Sequence, residues 1–143
     1  MDGGGALIVA DTNLIVALAC KTEQSAMALA VMAHDKEWVA PPIWQSELRN
    51  ALLGMMREGK IGINTALAAS AFAAENVDTY EVATGAVLRL AETHSLTAYD
   101  AEFAALSEWL GCKTVGFDEH LLKPGLAVHP DKFLKHPPGQ RAA

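Results

Sequence analysis

The chain has 143 residues, 51% of them apolar, and a formal net charge of −6. This length predicts one domain over residues 1–143 with a core that needs no disulfide, and the acidic balance argues against coating nucleic acid through general basicity. No apolar stretch reaches about 18 residues without a charge, which argues against a transmembrane helix, and two cysteines without metal-type spacing favour a cytoplasmic protein.

The first half of the chain predicts strands that alternate with helices. Residues 1–5 include three consecutive glycines and are expected to be a flexible leader. The apolar run that follows is typical of a central strand buried on both faces, and Pro41-Pro42 suit the first turn of a helix. Strands are expected at 6–10 and 38–40, and helices over 11–20, 24–34 and 43–58.

The second half continues this alternation as far as a tail over 136–143, which is expected to be flexible. Helices are expected over 63–74, 80–94 and 100–110, a helical turn from Asp118, and strands at 96–99, 113–116 and 126–128. Such alternation predicts an α/β fold with three layers, α/β/α, around a central and mainly parallel sheet of about five strands.

Three aspartates end short apolar runs in distant parts of the chain: Asp11, Asp100 and Asp118. Because the carboxyl ends of parallel strands open into the same crevice, we expect these side chains to meet there. Glu47 lies early in the helix over 43–58, at the edge of its apolar stripe, and can point along the seam between helix and sheet. Clustered carboxylates repel one another unless a hard cation neutralises them, so the sequence predicts a Mg²⁺ or Mn²⁺ site suited to phosphodiester hydrolysis.

Four segments carry a family resemblance in their order and spacing. They are Val9–Asn13, Pro41–Leu52, Leu96–Ser107 and Gly111–Asp118. In these segments the sequence resembles the PIN-domain ribonucleases, and most of all the VapC-type toxins of bacterial toxin–antitoxin pairs. The resemblance implies a single PIN-like domain, a divalent-metal site, cleavage of RNA and an antitoxin encoded alongside.

The resemblance also implies roles for individual residues. It makes Asp11, Glu47 and Asp100 the core ligands of the metal, and Asp118 an acid that assists metal or water binding. Asn13 matches a small polar residue that supports the first acid.

Two positions depart from the family pattern. Gly116 stands where the family commonly has Thr or Ser, and Glu119 stands where it often has Lys or Arg. The absent hydroxyl removes a hydrogen bond, and the absent cation weakens the attraction for phosphate.

Other interpretations remain open at this stage. Asp100 and Asp118 precede helical patterns, so each can be a helix N-cap, and Glu47 can be a first-turn acid favoured by the helix dipole. A haloacid-dehalogenase-like phosphatase would use Asp11 as nucleophile, although Asn13 occupies the place of its second aspartate. A catalytically weakened PIN-like interaction module is the non-enzymatic alternative. The five histidines show no ligand-like pairing and are expected at the surface or in loops.

The helices over 27–74 carry more apolar side chains than one small sheet can cover. Trp44, Leu52, Leu53, Met55 and Met56 surround one of these helices, and Leu67 and Phe72 add a second apolar face. Since large exposed patches mark partner surfaces, we expect a homodimer here and a nearby groove for an antitoxin segment. The alternative is that these residues complete the core of a monomer. The RNA target and the choice between Mg²⁺ and Mn²⁺ are not predicted.

Overall fold

A computed structural model describes residues 7–135 of the chain. The expected leader and the expected tail both lie outside the described residues. Within this range five strands form one parallel sheet in the order β3-β2-β1-β4-β5. The strands are β1 (Leu7–Ala10), β2 (Glu37–Ala40), β3 (Val77–Thr79), β4 (Thr114–Val115) and β5 (Ala127–Val128).

Helices cover both faces of this sheet, so the predicted three-layer α/β/α architecture is confirmed. They are α1 (Thr12–Ala19), α2 (Ser25–His34), α3 (Ile43–Arg57), α4 (Ile63–Asn76), α5 (Thr84–His94), α6 (Ala98–Leu110), α7 (Glu119–Leu122) and α8 (Pro130–Phe133). Helix α1 packs against α2, α3 and α4, whereas α6 packs on β1 and β4 and against α5. No helix in the described range is both long and apolar enough to cross a membrane.

Strand β1 is central because its side chains are apolar on both faces. Ile8 is 1% exposed, and Val9 and Ala10 are fully buried. The chain runs outward from β1 to β2 and β3 on one side, whereas β4 and β5 lie on the other side. The strand order therefore reverses between β1 and β4, and in such sheets the crevice at this point is where ligands bind.

The predicted strand over 96–99 is wrong, because the chain enters α6 directly from a turn. Ser95 adopts the left-handed conformation (φ 54°) that ends α5, and the Thr97 hydroxyl then caps α6 by accepting a hydrogen bond from the Asp100 N–H at 3.1 Å. A run of four residues is too short for its apolar pattern to distinguish a strand from a first helical turn. Asp100 consequently lies in the first turn of α6 and does not follow a strand.

Strand β3 was not predicted from the sequence, because it lies between the helices expected over 63–74 and 80–94. Val77 is buried, whereas Asp78 and Thr79 are exposed, as expected at the edge of a sheet. Helix α5 accordingly begins at Thr84, four residues later than predicted from the pattern. The other predicted strands and helices occur, with shifts of one to two residues at most of their ends.

Candidate metal centre

An open cleft of about 390 Å³ lies at the carboxyl ends of β1 and β4. The four acids predicted from the sequence all line it, together with Asn13, which is exposed in the first turn of α1. The four acids come from four separate elements: Asp11 follows β1, Glu47 lies on α3, Asp100 lies on α6, and Asp118 precedes α7. Tertiary structure thus brings together residues that are far apart in the sequence.

Asp11 is almost completely buried and is held by backbone groups. Its Oδ1 accepts a hydrogen bond from the N–H of Leu14 at 2.9 Å, which caps α1. Its Oδ2 accepts two more, from the N–H groups of Phe117 at 2.8 Å and Asp118 at 2.9 Å. Three of the four lone pairs of this carboxylate are therefore occupied, and one on Oδ1 remains available to a ligand. Burial raises the pKa of Asp11 to about 6 despite these donors, each of which lowers it.

Gly116 provides the space that the Asp11 carboxylate fills. A Cβ atom at this position would lie 1.9 Å from the Asp11 Cγ, which no side-chain packing permits. The family's Thr or Ser would therefore displace Asp11 from its backbone donors in this chain. The departure noted in the sequence thus has a steric reason, and the carboxylate itself occupies the place of the absent side chain.

Glu47 is half buried on the second turn of α3 and faces the first turn of α1. Its Oε1 accepts a hydrogen bond from the hydroxyl of Thr12, a contact that the sequence analysis did not identify. Burial raises the pKa of Glu47, the Thr12 hydrogen bond lowers it, and the charge of Asp118 raises it further. The position of Thr12 directly after Asp11 was the available sequence signal for this role.

Asp100 and Asp118 approach each other closely on the other side of the cleft. Burial raises the pKa of Asp100 to about 6, and a hydrogen bond between the two carboxyl groups and the charge of Asp118 also raise it. Thr97 caps α6, so helix capping does not explain the presence of Asp100. Asp118 does cap α7, by accepting a hydrogen bond from the His120 N–H at 3.0 Å. Asp11 and Asp118 therefore each cap a helix and also line the cleft.

The structure also brings His120 close to two of the acids, which the sequence analysis did not predict. Its Nδ1 lies 3.4 Å from Asp118 Oδ1 and 3.7 Å from Asp100 Oδ2. One possible donor atom from each of these three residues lies within 4.8 Å of the others, in a tighter group that does not include Asp11 or Glu47. His120 lies at the surface as expected, but its grouping with two acids was not predicted from the sequence. The available signal was its spacing, two residues after an acid that begins a helix.

The donor set of the cleft fits a hard divalent cation. Oxygen atoms of four carboxyl groups line it, and its lining residues within the described range include no Lys or Arg. Burial is the main reason that the pKa values of Asp11, Glu47 and Asp100 are raised, and the charge of Asp118 raises each of them further. Carboxylate oxygens are the ligands that Mg²⁺ and Mn²⁺ prefer, and a bound cation would relieve the repulsion.

Comparisons with known proteins agree with this geometry. A family model described as PIN domain matches residues 8–125. Among curated proteins, none matches the chain in sequence. PAE2754 from Pyrobaculum aerophilum is similar in structure, with a TM-score of 0.71 and 24% identity, over 90% of this chain and 96% of that chain.

Two further solved structures are similar. VapC20 from Mycobacterium tuberculosis, described as a toxin that cleaves the sarcin-ricin loop, has a TM-score of 0.61 and 19% identity, over 82% of this chain and 95% of that chain. A toxin–antitoxin complex from Klebsiella pneumoniae has a TM-score of 0.64 and 14% identity, over 86% of this chain and 97% of that chain. At these identities the likeness shows a shared fold.

Proposed function

The chain belongs to the PIN domain family, and on that premise we propose that it is a divalent-metal-dependent endoribonuclease and the toxin of a toxin–antitoxin pair. The observation that carries the proposal is the cleft lined by four carboxyl groups and, among the described residues, by no Lys or Arg. Two of the similar structures support the toxin assignment by their descriptions. The proposed location is the cytoplasm, which is consistent with an RNA substrate.

The proposed ligands of Mg²⁺ or Mn²⁺ are Asp11, Glu47, Asp100 and Asp118. A divalent ion held by such acids supplies an activated water and neutralises charge on a scissile phosphate. Asp11 contributes mainly by holding the backbone of Phe117 and Asp118, and so fixes the direction of the Asp118 side chain. The Thr12 hydroxyl orients Glu47. Asn13, at the cleft rim, is proposed to support Asp11.

The rest of the cleft suits a single RNA strand. It is open to solvent, so that a phosphodiester can reach the carboxylates without a large movement. Tyr99 is 59% exposed at its edge and offers an aromatic face on which a nucleobase can stack.

The phosphatase alternative is disfavoured by the surroundings of Asp11. A nucleophilic carboxylate needs an accessible oxygen, but Asp11 is 2% exposed and both its oxygens accept backbone hydrogen bonds. The interaction-module alternative makes a different prediction, namely a chain that binds an antitoxin and cleaves no RNA. The experiment below decides between it and the nuclease.

Cleavage should depend on the acids and on a divalent cation. EDTA should abolish cleavage of a mixed RNA substrate, and Mg²⁺ or Mn²⁺ should restore it. Asp100→Asn and Asp118→Asn should each lower the rate by at least about 100-fold, because each removes a proposed ligand of the cation that the reaction needs. Asp78→Asn is the matched control, because Asp78 is an exposed acid on β3 outside the cleft. Cleavage that persists in EDTA or in both cleft variants would overturn the proposed function.

The proposed assembly is a homodimer that binds an antitoxin segment near α4. The exposed apolar side chains of α2, α3 and α4 are Leu29, Leu53, Ile63, Leu67 and Phe72. Trp44 and Leu52, which the sequence analysis counted toward this surface, are instead buried in the core. The remaining patch is still apolar enough to favour association with a partner.

Light scattering tests the dimer directly. The wild-type chain should have the mass of two copies at micromolar concentration, and Leu67→Glu should convert it to a monomer. Leu88→Glu is the matched control, since Leu88 is equally exposed (58% against 60%) but lies on α5. A monomeric wild-type chain would refute the homodimer. The antitoxin part fails if the product of the adjacent gene neither co-purifies with this chain nor inhibits its cleavage of RNA.

A further inference from the structure

The cap of α7 holds His120 beside two acids of the cleft. The backbone N–H of His120 donates to Asp118 Oδ1 at 3.0 Å, so the position of this residue is set by the same oxygen that its ring faces. The ring Nδ1 then lies 3.4 Å from that oxygen and 3.7 Å from Asp100 Oδ2. Both separations are longer than a good hydrogen bond, although the three atoms surround a common space.

We propose that His120 Nδ1 is a nitrogen ligand of the divalent cation, together with Asp100 and Asp118, and that it makes the site prefer Mn²⁺ over Mg²⁺. This inference rests on the proposed function, because it concerns the same metal site. It adds a ligand that the four-carboxylate site predicted from the sequence does not contain.

The chemistry of the ligands is the reason for the preference. Mg²⁺ demands a near-ideal set of oxygen ligands and gives up its waters reluctantly. Mn²⁺, as a first-row transition ion, is the weakest binder of that series but accepts an imidazole nitrogen more readily than Mg²⁺ does. The side chain of His120 is 78% exposed, so its ring can turn toward a cation without disrupting packed neighbours.

A plain ion pair is the competing explanation of the same distances. In that case a protonated His120 would neutralise Asp100 and Asp118 and would occupy the position of the cation. The two explanations predict opposite effects of removing the ring. Loss of a ligand weakens Mn²⁺ binding, whereas loss of a competing charge strengthens the binding of every divalent cation.

Calorimetric titration with Mn²⁺ and with Mg²⁺, without RNA, separates them. The wild-type chain should bind Mn²⁺ more tightly than Mg²⁺ by a factor of at least about ten. His120→Asn should lower the Mn²⁺ affinity about tenfold, a typical scale for a lost interaction at a metal site, and change the Mg²⁺ affinity by less than about twofold. Asparagine suits this test because its amide oxygen can replace Nδ1 as a hard ligand. His94→Asn is the matched control, since His94 lies at the end of α5 and, unlike His120, is not grouped with Asp100 and Asp118.

A spectroscopic measurement tests the nitrogen ligand directly, first on the wild-type chain and then on the two variants. Electron spin echo modulation of bound Mn²⁺ should show coupling to a ¹⁴N nucleus, which His94→Asn retains and His120→Asn loses. Mn²⁺ that binds without nitrogen coupling, or an equal change of both affinities in His120→Asn, would overturn the inference. RNA cleavage that remains sensitive to EDTA would then show that the proposed function stands without it. Cleavage that is insensitive to EDTA would instead sink the proposed function.

Discussion

The two sides of the cleft use the same residue type in different ways. On the side of β1, Asp11 is 2% exposed, and all its recorded hydrogen bonds come from backbone N–H groups. On the side of α6 and α7, the side chains of Asp100 and Asp118 are 20% and 22% exposed and face each other and His120. Asp11 therefore joins two segments of backbone, the start of α1 and residues 117–118, whereas Asp100 and Asp118 present oxygen atoms to solvent.

This difference separates stability from chemistry within one site. Removal of the Asp11 carboxylate would destabilise the surrounding fold, because one buried and two partly buried N–H groups would lose their acceptor. Partly exposed carboxylates that repel each other cost stability, and they are retained for what they bind. We therefore expect substitutions on the two sides to differ in their effects on stability and to resemble each other in their effects on cleavage.

Gly116→Thr should have the largest effect, because its new side chain would collide with Asp11. The new Cβ would lie 1.9 Å from the Asp11 Cγ, and Asp11 cannot move without abandoning its backbone donors. We expect the free energy of unfolding to fall by about 3 kcal/mol and cleavage to be lost. Urea denaturation measures the first effect. Gly54→Ala is the control, since Gly54 has no atom within 4 Å of its would-be Cβ and the change should stabilise α3 by up to about 1 kcal/mol.

Alanine substitutions compare the two sides directly. Asp11→Ala should lower the free energy of unfolding by about 2 to 3 kcal/mol, because it removes the acceptor of the buried N–H of Leu14 and of the partly buried N–H groups of Phe117 and Asp118. Asp100→Ala should change it by less than about 0.5 kcal/mol, because lost contacts are offset by relief of repulsion from Asp118. Both variants should cleave RNA at least about 100-fold more slowly. Equal losses of stability in the two variants would show that the distinction between the sides is wrong.

The raised pKa values predict that the metal-free chain depends on pH. Asp100 has an ordinary pKa of 3.8 and a pKa of about 6 in the fold, so the stability linked to its protonated form is present below pH 3.8 and is lost as the pH rises through 6. The same sign holds for Asp11. Asp100→Asn removes one of these titrations, so it should become more stable relative to the wild type as the pH rises from 4.5 to 7.5, by a few degrees in Tm.

Thermal melting in EDTA checks this expectation, and added Mn²⁺ provides the complementary test. Saturating Mn²⁺ should reverse the order at pH 7.5, since only the wild-type chain keeps every carboxylate ligand. A difference in Tm that stays constant across this pH range would contradict the assigned titration of Asp100.

Thr12→Val should have the smallest effect, because it alters how one acid is oriented and removes no acid. The hydroxyl of Thr12 donates to Glu47 and lowers its pKa, so its loss should raise that pKa further. We expect a cost in stability of about 1 kcal/mol or less and a few-fold loss of cleavage that is larger at pH 6 than at pH 8. Thr93→Val, at an exposed position of α5, should change neither. A pH-independent loss in Thr12→Val would mean that Thr12 does not act through Glu47.

Much of the fold followed from local patterns. Apolar runs such as 6–10 and helical periodicity such as that of 43–58 are signals carried by neighbouring residues, so β1 and α3 were predicted nearly to their ends. The strand over 96–99 failed for the same reason, since four apolar or small residues suit a strand and a first helical turn equally well. Edge strand β3 has one buried residue, which is too little pattern for a prediction.

By itself, the sequence predicted that four acids would gather at one edge of a parallel sheet, because the ends of parallel strands meet there, although Asp100 reaches this edge from the first turn of α6 and not from a strand. Only the tertiary structure decided what each acid does there. Two of the three donors that bind Asp11 are 106 and 107 positions later in the chain, and the space for its carboxylate depends on the lack of a side chain at Gly116. The place of His120 beside Asp100 likewise depends on how α7 packs near α6. Contacts between distant segments leave no periodic trace in a single sequence, and for that reason they emerged only from the folded chain.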